Sequence, residues 1–218
     1  TNYTSYVGIV WSKFHLRCKK MNITEGKMLW NEFVSVIQKY PYLSKDKKCD
    51  VVVIGAGHAG IEAALASSRM GVPTVLFTIN LDAVGNMPCN PSIGGSAKGH
   101  LVFEIDALGG EMGRAADAVT LQSRTLNTGK GAAVRSKRVQ ADRLLYRSYM
   151  KNRVENTENL ITVQEEIVDI KTVTDKNGKK RIKSVITSLG NEWEIKAAVI
   201  CAGTYLGGKT FVGDSVRE

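Results

Sequence analysis

The segment CDVVVIGAGHAG, residues 49–60, constrains the fold more than any other part of the chain. A continuous β-branched run of this kind reads as a strand buried on both faces of a parallel sheet. It ends in Gly55-Ala56-Gly57-His58-Ala59-Gly60, which satisfies GxGxxG. Gly55 permits the tight turn out of the strand, Gly57 lets backbone approach a pyrophosphate, and Gly60 lets the next helix pack closely on the sheet. His58 to Met70 then has helical periodicity, with Ile61, Ala64, Leu65 and Ser68 on one side and Gly71 as the stop. VPTVLFTIN at 72–80 gives a second buried strand and completes a βαβ unit. A GxGxxG between a strand and a helix is the context that a dinucleotide site requires. The free N–H groups and positive dipole end of the helix would face the phosphates.

One element of that fingerprint is missing. The acidic residue expected about 20 positions on, which would hold ribose hydroxyls, is replaced by Thr78, Ile79 and Asn80, with Asp82 only beyond. The later segments add information. Gly99–Gly109 reads as a helix with Leu101, Val102, Ile105 and Leu108 on one side, and 140–156 as another. Short strands follow at 160–164, 167–173, 181–188 and 192–195, with DKNG at 175–178 as a hairpin turn. KAAVICAGTYLGG is again an apolar strand running into small residues. A meander that crosses over to a strand ending in a glycine turn fits a flavoprotein arrangement, and points to FAD. The expected fold is α/β: an FAD-binding, Rossmann-like domain of glutathione-reductase type with an antiparallel β-meander, incomplete in this chain.

Between the βαβ unit and these strands lies NMPCNPSIGGSAKGH, residues 86–100, which fits neither a regular helix nor a strand. It holds Cys89 between Pro88 and Pro91, with Lys98 and His100 close in sequence. A thiol becomes nucleophilic when cations, a helix N-terminus or backbone N–H groups lower its pKa. The other cysteines are Cys18, Cys49 and Cys201; Cys49 and Cys201 lie in apolar strands and read as core. With no CxxC pair and no nearby histidine cluster, neither a zinc site nor a disulfide framework is expected, and free thiols fit a reducing cytoplasm. No apolar run reaches the ~18 residues that would span a bilayer.

The net charge of +9 is unevenly spread. Residues 1–48 supply +6 of it and read as an extension with one amphipathic helix over 24–40, ended by Pro41 and followed by the polar linker SKDKK. Residues 49–218 form the FAD-binding portion. Within them, Arg124–Arg153 holds nine basic residues and one acid, Asp142. Such a stretch is a solvated face or a footprint for an anionic macromolecule.

Three long motifs carry a family resemblance: GAGHAGIEAALASSRMG, then GNMPCNPSIGGSAKGHLVFEIDALGGEMG, then LQSRTLNTGKGAAVRSKRVQADRLLY. In this order they resemble the glucose-inhibited division protein A family, from about Cys49 to about Gly213; residues 1–48 are not covered. The resemblance implies FAD-dependent enzymes that install a carboxymethylaminomethyl group on the wobble uridine of certain tRNAs. It further implies a GTPase partner, NADH as reductant, methylenetetrahydrofolate as carbon donor and a homodimer of the full-length protein. By the same resemblance the flavin-binding turn falls on Gly55, Ala56, Gly57, His58, Ala59 and Gly60, a contact near the adenine end falls on Ile167, and the nucleophile on Cys89. A missing acid after the second strand is also a feature of the family. In the basic stretch, Lys130, Arg135, Lys137 and Arg138 are the expected contacts to tRNA phosphates, and phosphate contacts would make binding strongly salt-dependent.

The chain departs from the family in length, and at Ala132, where the family usually has proline. Members are considerably longer, so these 218 residues are not expected to complete the reaction alone. Two other readings stay open at this point. One is a flavin-dependent oxidoreductase acting on a small metabolite, with the same FAD site and no RNA. The other is a truncated product without function.

Overall fold

The computed structural model describes residues 47–88 and 90–217. The helix expected over 24–40, and Cys89 itself, lie outside the described residues. Strand β1 (Val51–Ile54) leads through the glycine turn into helix α1 (His58–Arg69), and β2 (Thr74–Thr78) follows. Val52 and Val53 are fully buried, and all five residues of β2 are buried. Helix α1 buries Gly60, Ile61, Ala64, Leu65 and Ser68, the stripe expected from its periodicity. Each of its fully buried aliphatic side chains contributes about 1.5–3 kcal/mol relative to exposure.

Two more strands complete a four-stranded parallel sheet: β6 (Leu160–Gln164) beside β2, and β10 (Ala197–Ile200) beside β1, giving the order β10-β1-β2-β6. The connection to β6 runs through helix α4 (Arg143–Glu155), whose Tyr146, Met150 and Val154 are fully buried. That strand order is the one built by a dinucleotide-binding half, and it places a crevice outside the C-terminal ends of the strands. The antiparallel meander is β7 (Ile167–Thr174), β8 (Lys180–Thr187) and β9 (Glu192–Glu194). Its first turn closes on Asp175, whose carboxylate accepts from the N–H groups of Asn177 and Lys179. Trp193 of β9 is fully buried, edge-on to Phe77 of β2 with ring centroids 5.5 Å apart.

The middle of the chain differs from expectation. Residues 86–100 are not irregular throughout: β3 (Ser92–Gly94) pairs antiparallel with β5 (Ser136–Ala141), which pairs with β4 (Thr120–Leu126). Helix α2 (Lys98–Ala107) and a short helix α3 (Met112–Ala118) precede this sheet's edge strand. The expected inward face of α2 is not buried: Leu101 is 57% and Leu108 84% exposed. Helix α4 starts at Arg143 rather than at 140, because Asp142 caps it, its carboxylate accepting from the Leu145 N–H at 2.9 Å. Gln140 belongs to β5. A further hairpin joins β11 (Thr210–Val212) to β12 (Ser215–Arg217). Among the described residues, no helix is long and apolar enough to cross a membrane.

Candidate dinucleotide and substrate site

The glycine turn is built from three different constraints. Gly55 has φ +104°, and a Cβ there would lie 2.4 Å from the Cys201 carbonyl oxygen. The end of β10 therefore crosses directly over the turn. Gly60 is closed from below, since its Cβ would sit 1.7 Å from the Gly55 carbonyl oxygen. Gly57 is different. It is extended (φ −74°, ψ −175°), and a Cβ there would meet nothing within 4 Å. It also begins α1 with no side-chain cap and no acid in the first turn, so the first N–H groups carry no protein carboxylate. Open space beside uncapped donors and a positive helix end is what a diphosphate needs, so these residues fit the pyrophosphate of a dinucleotide.

His58 is the first residue of α1, and its ring is 5.7 Å from that of Tyr146. Burial lowers its pKa from the ordinary 6.5, with the nearby Glu62 carboxylate opposing that shift. A neutral imidazole packed on an aromatic ring has a structural role here, at the start of α1. Burial raises the pKa of the Tyr146 phenol, and Glu62 raises it further.

Glu62 was invisible as a site residue in the sequence. Its carboxylate accepts from the N–H groups of Glu111 (2.9 and 3.0 Å) and Met112 (2.7 Å), so it caps α3 from fifty residues away. Glu111 is itself buried; its carboxylate accepts from the Tyr149 hydroxyl at 2.8 Å and lies 3.1 Å from Arg153 Nε. Helices α1, α3 and α4 are thus tied together by two carboxylates.

At the other end of the crevice, the C-terminal end of β2 meets that of β6, with Thr78 opposite Gln164. Asn80 Oδ1 accepts from the Asp82 N–H at 2.8 Å, and Gln164 Oε1 accepts from the Leu81 N–H at 3.3 Å. The nearby carboxylate, Asp82, is paired with Lys151 at 2.9 Å, and the Lys151 hydrogen bond holds its pKa below the ordinary carboxylate value. The rim offers amides at the place where the usual fingerprint has a free carboxylate. Ile167 opens β7, three residues beyond β6, whose C-terminal end lies at the same end of the parallel sheet as the glycine turn.

The loop that carries Cys89 starts from the cofactor turn, because the Gly85 N–H donates to the Ala56 carbonyl at 3.0 Å. Met87 is buried, and the loop returns as β3. Helix α2 begins at Lys98 without a side-chain cap, on a left-handed Ala97 with φ +63°. Cys49 is buried, and burial pushes its thiol up to about 12. Cys201 is partly buried and packs against the core, though it lies just past β10, over the turn, rather than in the strand as expected; burial raises its pKa.

The basic stretch separates into two groups. On α4, Arg147 donates to the Asp82 carbonyl, Lys151 pairs with Asp82, and Arg153 pairs with Glu111, so those charges are internal. Lys130, Arg135, Lys137 and Arg138 are exposed, in or beside the β4–β5 hairpin. They do not form one surface: Arg138 faces the same side as Arg124, directly opposite it in register, and Lys137 points to the other face.

Similarity to known proteins follows this architecture. The family model described as "Glucose inhibited division protein A" matches residues 50–218. The tRNA uridine 5-carboxymethylaminomethyl modification enzyme MnmG of Caldicellulosiruptor saccharolyticus is 54% identical over 169 residues, which is 78% of this chain and 26% of that protein. The enzyme of the same name from Aquifex aeolicus is 55% identical over 167 residues, covering 77% of this chain and 26% of the relative. The crystal structure of Aquifex aeolicus GidA (form I) aligns with TM-score 0.72 and 54% identity over 78% of this chain and 28% of that one. The chain thus spans about a quarter of the length of the relatives it matches. A matched model over 169 of 218 residues, together with a glycine turn shaped for a diphosphate, shows that the chain belongs to the glucose inhibited division protein A family.

Proposed function

We propose that this chain is the FAD-binding portion of an enzyme that adds a carboxymethylaminomethyl group to the wobble uridine of tRNA. Residues 49–218 carry that portion and residues 1–48 an extension. The observation that supports it most is the open space at Gly57 beside an uncapped helix, in a chain 54% identical to an enzyme of that name. Gly55–Gly60 would hold the diphosphate, and Ile167 would lie near the adenine. Bound FAD supplies two-electron redox chemistry, with NADH as reductant and methylenetetrahydrofolate as carbon donor. A GTPase partner and a homodimeric full-length protein, working in the cytoplasm, belong to the same reading.

The uracil five-position is a weak nucleophile, and a covalent adduct answers that problem. The Cys89 thiolate adds to C6 of the ring, and the electron pair moves through C5 into an enolate. C5 would then attack the methylene carbon that the folate carries as an iminium, and the C=N electron pair would return to the folate nitrogen. Loss of the C5 proton and expulsion of the thiolate restore the ring. Lys130, Arg135, Lys137 and Arg138 would contact RNA phosphates.

Titration of the purified chain with FAD, followed by flavin fluorescence, tests the cofactor reading. Saturable binding that Gly57→Leu removes is expected, and binding that survives this substitution overturns the assignment of the turn. Cys89→Ser in the full-length enzyme should abolish modification of tRNA; retained modification overturns the role of the thiol.

A further inference from the structure

The β3-β5-β4 sheet presents two rows of polar side chains on one face. One row is Ser92–Gln140–Gln122, and the next is Gly94–Arg138–Arg124. Gln122, Arg124, Leu126, Arg138 and Gln140 together line an open groove on that face. Directly opposed residues on adjacent strands hold their Cβ atoms about 4.5–5.5 Å apart, and like charges there are destabilising. No carboxylate among the described residues pairs with either arginine; Arg138 donates to Ser92 Oγ at 3.3 Å. At Gly94 a Cβ would lie 2.2 Å from the Lys137 carbonyl, so the arginine row has no side chain on its β3 side. Arg138 leans over β3, its Cδ 3.9 Å from where a Gly95 Cβ would lie, so the fold holds two exposed guanidinium groups spread across one face, neither of them paired with a carboxylate.

We infer that this groove is a subsite for an unpaired RNA nucleotide, with Arg124 and Arg138 gripping its phosphodiester and Gln122 and Gln140 facing its base. The inference rests on the tRNA reading above and adds residues and a strandedness to it. Guanidinium forks match phosphate oxygens two by two, and neither arginine has a carboxylate competing for its donors among the described residues. Carboxamides have both donors and acceptors, so the glutamine pair can read a base edge. Leu126, two residues beyond Arg124 on β4 and opposite Ser136, adds an apolar surface beside the arginine row. In duplex RNA the base edges are largely hidden, whereas in loops they are splayed and reachable. The groove also lies close in sequence to the proposed nucleophile, because β3 starts three residues after Cys89.

The test is fluorescence anisotropy of a labelled RNA hairpin with an unpaired loop, and of a blunt duplex of equal length, across a salt series. Removing one bidentate contact should weaken hairpin binding by about tenfold and reduce the salt slope by roughly one. Arg124→Gln and Arg138→Gln should each do this, and Lys176→Gln and Lys180→Gln, of equal charge change on the distant meander hairpin, should do much less. Gln122→Ala and Gln140→Ala should leave the salt slope alone and change discrimination among loop bases. Arg124 is exposed and makes no ion pair among the described residues, so Arg124→Gln should melt no lower than the wild type, which a structural role for the arginine would not permit. Equal losses from Arg124→Gln and Lys180→Gln, or equal losses on hairpin and duplex, overturn the inference while leaving the tRNA reading intact. Absence of salt-dependent hairpin binding by the wild-type chain overturns both.

Discussion

Gly57 and Gly60 occupy the same turn and should respond to alanine in opposite ways. At Gly60 the new Cβ would lie 1.7 Å from a backbone oxygen, that of Gly55, and 3.4 Å from Cys201 Cβ. Neither neighbour is the end of a flexible side chain, so α1 must retreat from the sheet by more than an ångström. Overpacking of this kind costs about 1–3 kcal/mol, from which the better helix propensity of alanine subtracts at most ~1 kcal/mol near a helix start. A 1.7 Å clash with backbone belongs at the upper end of that range and leaves about 2–3 kcal/mol; at about 2–4 °C per kcal/mol for a domain of this size, Gly60→Ala should melt roughly 4–12 °C below the wild type. At Gly57 the backbone is extended and the added methyl meets nothing within 4 Å, so stability should stay within about 0.5 kcal/mol. The methyl instead occupies the position where a diphosphate would approach. FAD affinity should fall by about tenfold or more, equivalent to ~1.4 kcal/mol. Thermal denaturation by circular dichroism and flavin fluorescence titration, run on both variants, separate the two effects. A Gly57→Ala protein that melts lower and binds as before, or a Gly60→Ala protein that melts normally, would refute the geometry of the turn.

Three further outcomes follow from the same residues. Glu62→Ala removes an anionic acceptor from two N–H groups and should lower stability by about 1.5–3 kcal/mol in urea unfolding, with Glu62→Gln losing less; equal stability of Glu62→Ala and wild type would remove the cap's importance. His58 has its pKa depressed by burial, so the unfolded chain binds the extra proton first as pH falls. Its contribution is complete above the unfolded value near 6.5 and is lost progressively below it, and His58→Gln should flatten that part of the melting curve against pH, well above the range where carboxylates titrate. Cys49, with its thiol pushed up to about 12, should resist iodoacetamide at pH 8 in the native protein and react after unfolding, as read by peptide mass spectrometry.

The parallel sheet and its glycine turn were legible because their constraints are local. A β-branched run, a glycine at φ +104° and the stripe Ile61–Ala64–Leu65–Ser68 all lie within twenty residues of one another. The β4–β5 hairpin was not legible, for a physical reason. TLQSRTL has six exposed residues, so no apolar alternation marks the strand, and the register appears only when Arg124 is seen opposite Arg138. The period-two repeats in Gln122-x-Arg124-x-Leu126 and Arg138-x-Gln140 were the available signal, and the basic content of the stretch masked it.

Charge counting failed in a second, more instructive way. Arg124–Arg153 reads as one basic block in sequence, but a charge's availability depends on partners that sequence distance conceals. Lys151 finds Asp82 sixty-nine residues away, and Arg153 finds the buried Glu111, so α4 uses its cations to fasten itself to the β2 end and to α3. The cations of the hairpin pair with no carboxylate among the described residues. The same block of sequence therefore contains two kinds of arginine. Those on the helix complete the fold. Those on the sheet, Arg124 and Arg138, line an open groove with no carboxylate partner among the described residues, and their donors are left for an anion from outside the fold.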